Sequence, residues 1–252
     1  MAQVSSGRLA RMRYTFIGLL VGILFSPCAA AQELVIPKVI YPSLPKQGAS
    51  AQAFVPKGWM LEKQQSGDLN KDGQDDLLLL LRMDEAKNIL QNEGLGQNPF
   101  DTNPRILALA FGKGAGKPFE LALENHTLIA RPEDPVLEDV LGETGGVDID
   151  RGTLKVVLYL FSSVGSWSIG TTTFRFRHGA RGFELIGYDS STTERNSGNV
   201  EEVSINYLTG KVSIGTGTIA DDKLKVKWRK LKKKPLLTID DIGDGLAFEP
   251  KY

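Results

Sequence analysis

The second half of the chain carries one alternating segment after another, each closed by a glycine-containing turn, and this pattern sets the fold class. Thr171-Thr-Thr-Phe-Arg-Phe-Arg177 alternates, His178-Gly-Ala-Arg-Gly182 turns, and Phe183-Glu-Leu-Ile-Gly-Tyr188 returns. A period of two sends successive side chains to opposite faces of a strand, so one face can be buried while the other stays wet. Val203–Tyr207 and Lys211–Ile214, joined through Leu208-Thr-Gly210, predict a second hairpin. Thr153–Phe161 is rich in β-branched and aromatic residues, and Lys223–Trp228 alternates again. Consecutive hairpins at this spacing predict a mainly β protein of antiparallel sheets, either a sandwich or a curved sheet.

The first half reads less regularly. Asp76–Met83 contains Leu77-Leu-Leu-Leu-Leu81, and periodicity cannot assign such a run. Its shortness and its flanking turn residues predict a strand buried on both faces. Asp84–Glu93 predicts one short helix, with Gly94 placed to end it. Arg105–Phe111 and Phe119–Leu123 predict further strands. Gln32–Gly58, broken by Pro37, Pro42, Pro45 and Pro56, predicts an extended lead-in with room for one strand. Asp189–Asn199 is polar and is expected to be a long exposed loop, while Asp148 and Asp150 read as turn residues near Gly152. No linker or fixed repeat divides residues 32–252, which predicts a single β-rich domain there.

The first 31 residues read as an address. Arg8, Arg11 and Arg13 precede the apolar run Phe16–Phe25, and small residues follow up to Ala31. Basic, apolar, then small is the pattern of a secretory signal peptide, and a run of about ten residues is too short for a bilayer. Cleavage after Ala31 is expected, leaving no transmembrane segment and a periplasmic or secreted protein. Cys28 is the only cysteine, and Pro27 and Phe25 stand where a lipobox wants a small and an aliphatic residue, so lipidation is not expected. Loss of Cys28 with the signal leaves no disulfide, thiolate or cysteine-zinc chemistry. The balance of 30 Lys+Arg against 30 Asp+Glu argues against a nucleic-acid binder.

Residues 68–76 read Asp68-Leu-Asn70-Lys-Asp72-Gly73-Gln74-Asp75-Asp76. Oxygen-bearing side chains stand at the first, third, fifth and ninth positions, with glycine sixth. Calcium is a hard cation that takes six to eight oxygens at about 2.3–2.6 Å, and a tightly curling loop can turn alternate residues inward to supply them. Asp68, Asn70, Asp72 and Asp76 are the candidate side-chain ligands, and Gln74 can offer its backbone carbonyl. Gly73 permits the bend. The twelfth position is Leu79, where an EF-hand has a bidentate glutamate, and an apolar strand follows in place of a helix.

This loop resembles those of FG-GAP and VCBS-type repeats, of the form D-x-N-x-D-G-x-x-D followed by a hydrophobic strand. Leu107-Ala-Leu-Ala-Phe111-Gly112-Lys-Gly114-Ala-Gly-Lys-Pro-Phe119 is similar to the later strand, glycine-rich turn and aromatic of that family. The resemblance spans roughly residues 60 to 120 and one unit only. It implies a partial propeller-like unit with a structural calcium ion, and it resembles uncharacterised bacterial envelope proteins that carry a single such loop.

The segment Lys223–Lys234 holds eight basic residues in twelve. It reads as a strand with a solvated lysine face guarding a sheet edge, or as a patch for an anionic polymer. The expected function is non-catalytic: binding an envelope protein or an anionic envelope polymer. The alternative is an envelope glycan hydrolase using a carboxylate pair drawn from Glu120, Glu124, Asp148 and Asp150, which must stand about 5–10 Å apart across the bond. Asn125-His-Thr127 fits the glycosylation pattern.

Overall fold

The computed structural model describes Met1 and residues 34–142 and 144–252. The chain divides at Ala31/Gln32 into two units, and every element described below lies in the second, Gln32–Tyr252. The signal-peptide reading, with its apolar run and cleavage position, lies outside the described residues. Among the described residues no helix is long and apolar enough to cross a membrane.

The protein is mainly β, built of antiparallel sheets. The first sheet has the order β1-β7-β6-β3-β2, from β1 (Gln47–Gly48), β2 (Trp59–Gly67), β3 (Asp76–Met83), β6 (Arg105–Phe111) and β7 (Phe119–Asn125). Its four longer strands follow one another as an antiparallel meander. Between β3 and β6 lies a small two-stranded ladder of β4 (Ile89–Leu90) and β5 (Phe100–Asp101). The second sheet runs in chain order through β8 (Gly146–Asp150), β9 (Thr153–Phe161), β10 (Ser168–Gly179), β11 (Gly182–Glu194), β12 (Asn199–Asn206), β13 (Lys211–Thr218) and β14 (Lys225–Lys230), and it curls as a half-barrel.

The leucine run forms β3, and it is buried on both faces as its composition predicts. Leu78 and Leu80, with Leu107 and Leu109 of β6, pack against Val156, Leu158, Phe174 and Phe176 of the second sheet. Leu77, Leu79 and Leu81 point the other way, with Ile106 and Ala108, onto Leu44, Ala51 and Phe54 of the lead-in. The proline-broken lead-in therefore covers the outer face of the first sheet. Burying each such leucine contributes about 1.5–3 kcal/mol.

The two sheets meet at their edges as well as their faces. The Gln65 side chain on β2 donates to the Ile149 carbonyl at 3.1 Å and accepts from the Ile149 N–H at 2.9 Å. One amide side chain thus supplies β8 with the donor and acceptor of a neighbouring strand. Lys63 reaches Asp148 beside it at 2.6 Å. The edge of the second sheet at β8 is covered in this way, whereas β14 closes the other edge with every residue exposed.

Three expectations need correction. The helix over Asp84–Glu93 is a lone 3-10 turn at Ala86–Asn88 leading directly into β4. Residues 189–194 are not loop: β11 continues through Glu194, paired with β10 on one side and β12 on the other, and only a short turn precedes Asn199. Serines and threonines complete the backbone ladder there because the hydrogen bonds need no apolar side chain. Asp148 and Asp150 lie within β8, and the turn itself is Arg151-Gly152, both at positive φ (51° and 71°), a geometry that matches the twist of a two-residue hairpin.

Candidate metal loop and basic edge

The loop between β2 and β3 is organised around Asp76. This carboxylate is fully buried and accepts three backbone N–H groups: Leu69 at 2.8 Å, Asn70 at 3.3 Å and Gly112 at 2.9 Å. Burial, opposed by those hydrogen bonds and assisted by the nearby Asp72 charge, holds the Asp76 carboxyl above its ordinary pKa. Gly112 is required by close approach, since a Cβ there would stand 2.2 Å from the Asp75 carbonyl oxygen. The glycine after β6 therefore docks the loop onto the sheet.

The remaining candidate ligands curl the loop by accepting its own N–H groups. Asp68 accepts from Lys71 at 2.6 Å and from Gly73 at 3.0 Å. The Asn70 oxygen accepts from Asp72 N–H at 2.9 Å, and its amide donates to Asp72 at 3.0 Å. Asp72 also accepts from the Gln74 N–H at 2.8 Å. Gly73 takes φ 80°, open to glycine and costly for a residue with a side chain. Asp68 and Asn70 are half-buried, while Asp72, Gln74 and Asp75 face solvent.

The donor set is all oxygen, and its chemistry suits a hard cation. Each carboxylate offers about four lone-pair sites, and the hydrogen bonds above leave acceptor capacity on Asp68, Asn70, Asp72 and Asp76. Asp76 has no cationic partner within ion-pair distance among the described residues. Among those residues no three His, Cys, Asp or Glu side chains converge as a metal-holding group.

The basic segment divides into two parts. β14 forms the sheet edge, pairing only with β13, and Lys225, Lys227, Arg229 and Lys230 are all exposed, as are Val226 and Trp228. Lys232, Lys233 and Lys234 continue past the strand along a cleft of about 940 Å³, floored by Leu185, Tyr207, Leu231 and Phe248. Burial, with the Tyr188 hydroxyl nearby, pushes the Tyr207 phenol up to about 12. Leu185 is buried and Phe248 stacks edge-on against Phe174, so the cleft opens onto the main core.

The four carboxylates of the hydrolase alternative are held separately. Glu120 pairs with Lys113, and Glu124 accepts the Leu44 N–H. Asp148 pairs with Lys63, and Asp150 is held by Arg175 at 2.6 Å. None of them lines this cleft or the smaller one of about 220 Å³ over Thr173, Asp189 and Glu202. Asn125 of the glycosylation pattern is buried, accepts the N–H groups of Thr127 and Leu128, and donates to Asp240. Its nitrogen is already bonded inside the fold.

Sequence reasoning missed an ionic cluster at the end of β3 and β6 away from the loop. Arg105 of β6 is buried between two carboxylates, reaching Glu62 at 2.6 and 2.8 Å and Asp139 at 2.7 Å through two nitrogens. Arg82 joins it through Glu62 and Asp101. An arginine at the start of a candidate strand is the only signal, and it does not name its partners. Against family models, curated proteins and solved structures the chain finds no match.

Proposed function

We propose that this is an exported, non-catalytic β protein whose basic edge binds an anionic component of the cell envelope or a partner protein, with one structural calcium ion in the loop over residues 68–76. The observation that carries the binding role is β14: an exposed edge strand with Lys225, Lys227 and Arg229 on one face and Lys230 ending the other, continued by Lys232–Lys234 along a cleft. Exposed like charges attract a polyanion over roughly a Debye length, about 8 Å at physiological ionic strength. The FG-GAP-like loop spacing, its hard oxygen donors and the unpaired buried charge of Asp76 support calcium.

Asp68, Asn70, Asp72 and Asp76, with the Gln74 carbonyl, would hold the ion. A bound divalent cation would neutralise the acidic cluster and fix the entry to β3. Binding of this kind is tested by retention on an immobilised sulfated polysaccharide. Replacing Lys232, Lys233 and Lys234 by glutamate is expected to move elution to clearly lower salt; unchanged retention would rule out the basic edge as the binding surface.

A further inference from the structure

The cleft beside β14 joins two kinds of surface that a plain polyanion site does not need together. Its floor is carbon from the core, contributed by Leu185, Tyr207, Leu231 and Phe248. Its rim is cationic: Lys230, Lys232, Lys233 and Lys234 are exposed, and among the described residues none of them pairs with an acid. Two acids also line it, Asp241 and Glu249. Asp241 accepts the Thr238 N–H and hydroxyl at 2.7 and 2.8 Å, and Lys230, Lys232, Lys233, Lys234 and Lys251 against Asp241 and Glu249 leave the lining net positive.

We infer that this cleft takes an acyl lipid with an anionic headgroup, the chain lying on the apolar floor and the headgroup held by Lys232–Lys234. The inference builds on the anion-binding reading and names its ligand class. Charge complementarity selects an anion. A floor continuous with the core gains from covering by hydrocarbon, at about 25 cal/mol per Å² removed from water. An acidic peptide would satisfy the rim but would leave that floor in contact with polar backbone.

The test uses the full chain and a dansyl-labelled undecanoate as the fluorescent probe, displaced by palmitate, octanoate or polyphosphate. Palmitate is expected to displace the probe at lower concentration than octanoate, and polyphosphate, which meets only the lysine rim, is expected to displace it less well than palmitate. Leu208 and Leu237 line the cleft and are already 45% and 39% exposed, so Leu208→Asp and Leu237→Asp should fold normally. Each is expected to weaken palmitate at least tenfold with an unchanged melting temperature. The Lys232→Glu, Lys233→Glu, Lys234→Glu variant is expected to do the same. Absence of probe binding, equal potency of octanoate and palmitate, or full affinity in the leucine variants would overturn the lipid assignment. If the lysine variant still loses retention on the polysaccharide in that case, the basic-edge reading stands and only the cleft's ligand is wrong.

Discussion

Arg105 shows how one residue ties distant parts of the chain together. It lies on β6 and joins Glu62 of β2 to Asp139, which precedes β8. Burial opposes ionisation of Asp139, but the bonds and charge of Arg105 outweigh it and hold the carboxyl below its ordinary pKa. Removing the guanidinium strands two carboxylates; Arg105→Ala should cost about 3 kcal/mol in urea unfolding, the lower end for a buried pair because both acids keep some exposure. A loss under about 1 kcal/mol would show that water replaces the arginine. Tyr207 gives a pH prediction of opposite direction. Its folded pKa lies above the unfolded value of 10.0, so the unfolded chain loses the proton first. Its contribution is complete below about pH 10 and falls as pH rises toward about 12. Tyr207→Phe should flatten the alkaline limb of the stability profile over that window; an unchanged limb would show that the phenol is not buried in solution.

At the scale of elements, the loop and β3 act as one piece. Gly112 must lack a side chain for the Asp75 carbonyl to approach and for its own N–H to reach Asp76. Gly112→Ala is expected to destabilise the protein by about 1–3 kcal/mol in thermal unfolding, through overpacking and loss of that bond; no change would mean that the loop shifts freely. The elements that the sequence makes legible are those whose apolar content decides them. β3, β6 and β9 appear with the bounds that their leucines, valines and isoleucines predict. β2 was not legible because Lys63, Gln64, Gln65 and Ser66 leave it little apolar signal, although its outward residues alternate with half-buried ones. β8 was hidden by Asp148 and Asp150, whose charges are answered by Lys63 on β2 and Arg175 on β10, partners remote in the chain. The end of β11 was hidden because its strand is specified by pairing on both sides and not by burial.

At the scale of the molecule, two sheets share one large core, and the first sheet carries a second core beneath the lead-in. One end of the second sheet is covered by Gln65 and the other is left open and basic. That asymmetry is what the proposal of β14 as a contact surface rests on; the acidic loop lies elsewhere, between the first sheet and the β8–β9 turn, where the Asp68 carbonyl faces Gly152. The loop chemistry was legible as a set of oxygens at calcium-loop spacing. Its docking on Gly112 and the burial of Asp76 were not, because both depend on β6 folding beside β3. An ion there should act as a clamp at the entrance to the core strand. At ten times the dissociation constant, mass action adds about 1.4 kcal/mol of stability, a rise in melting temperature of about 3–6 °C for a chain of this size. The decisive measurement is calorimetric melting in 10 mM calcium and in chelator, for the natural chain and for Asp72→Ala. A calcium-dependent rise that disappears in Asp72→Ala is the predicted result, and equal melting temperatures for the natural chain in calcium and in chelator would contradict it.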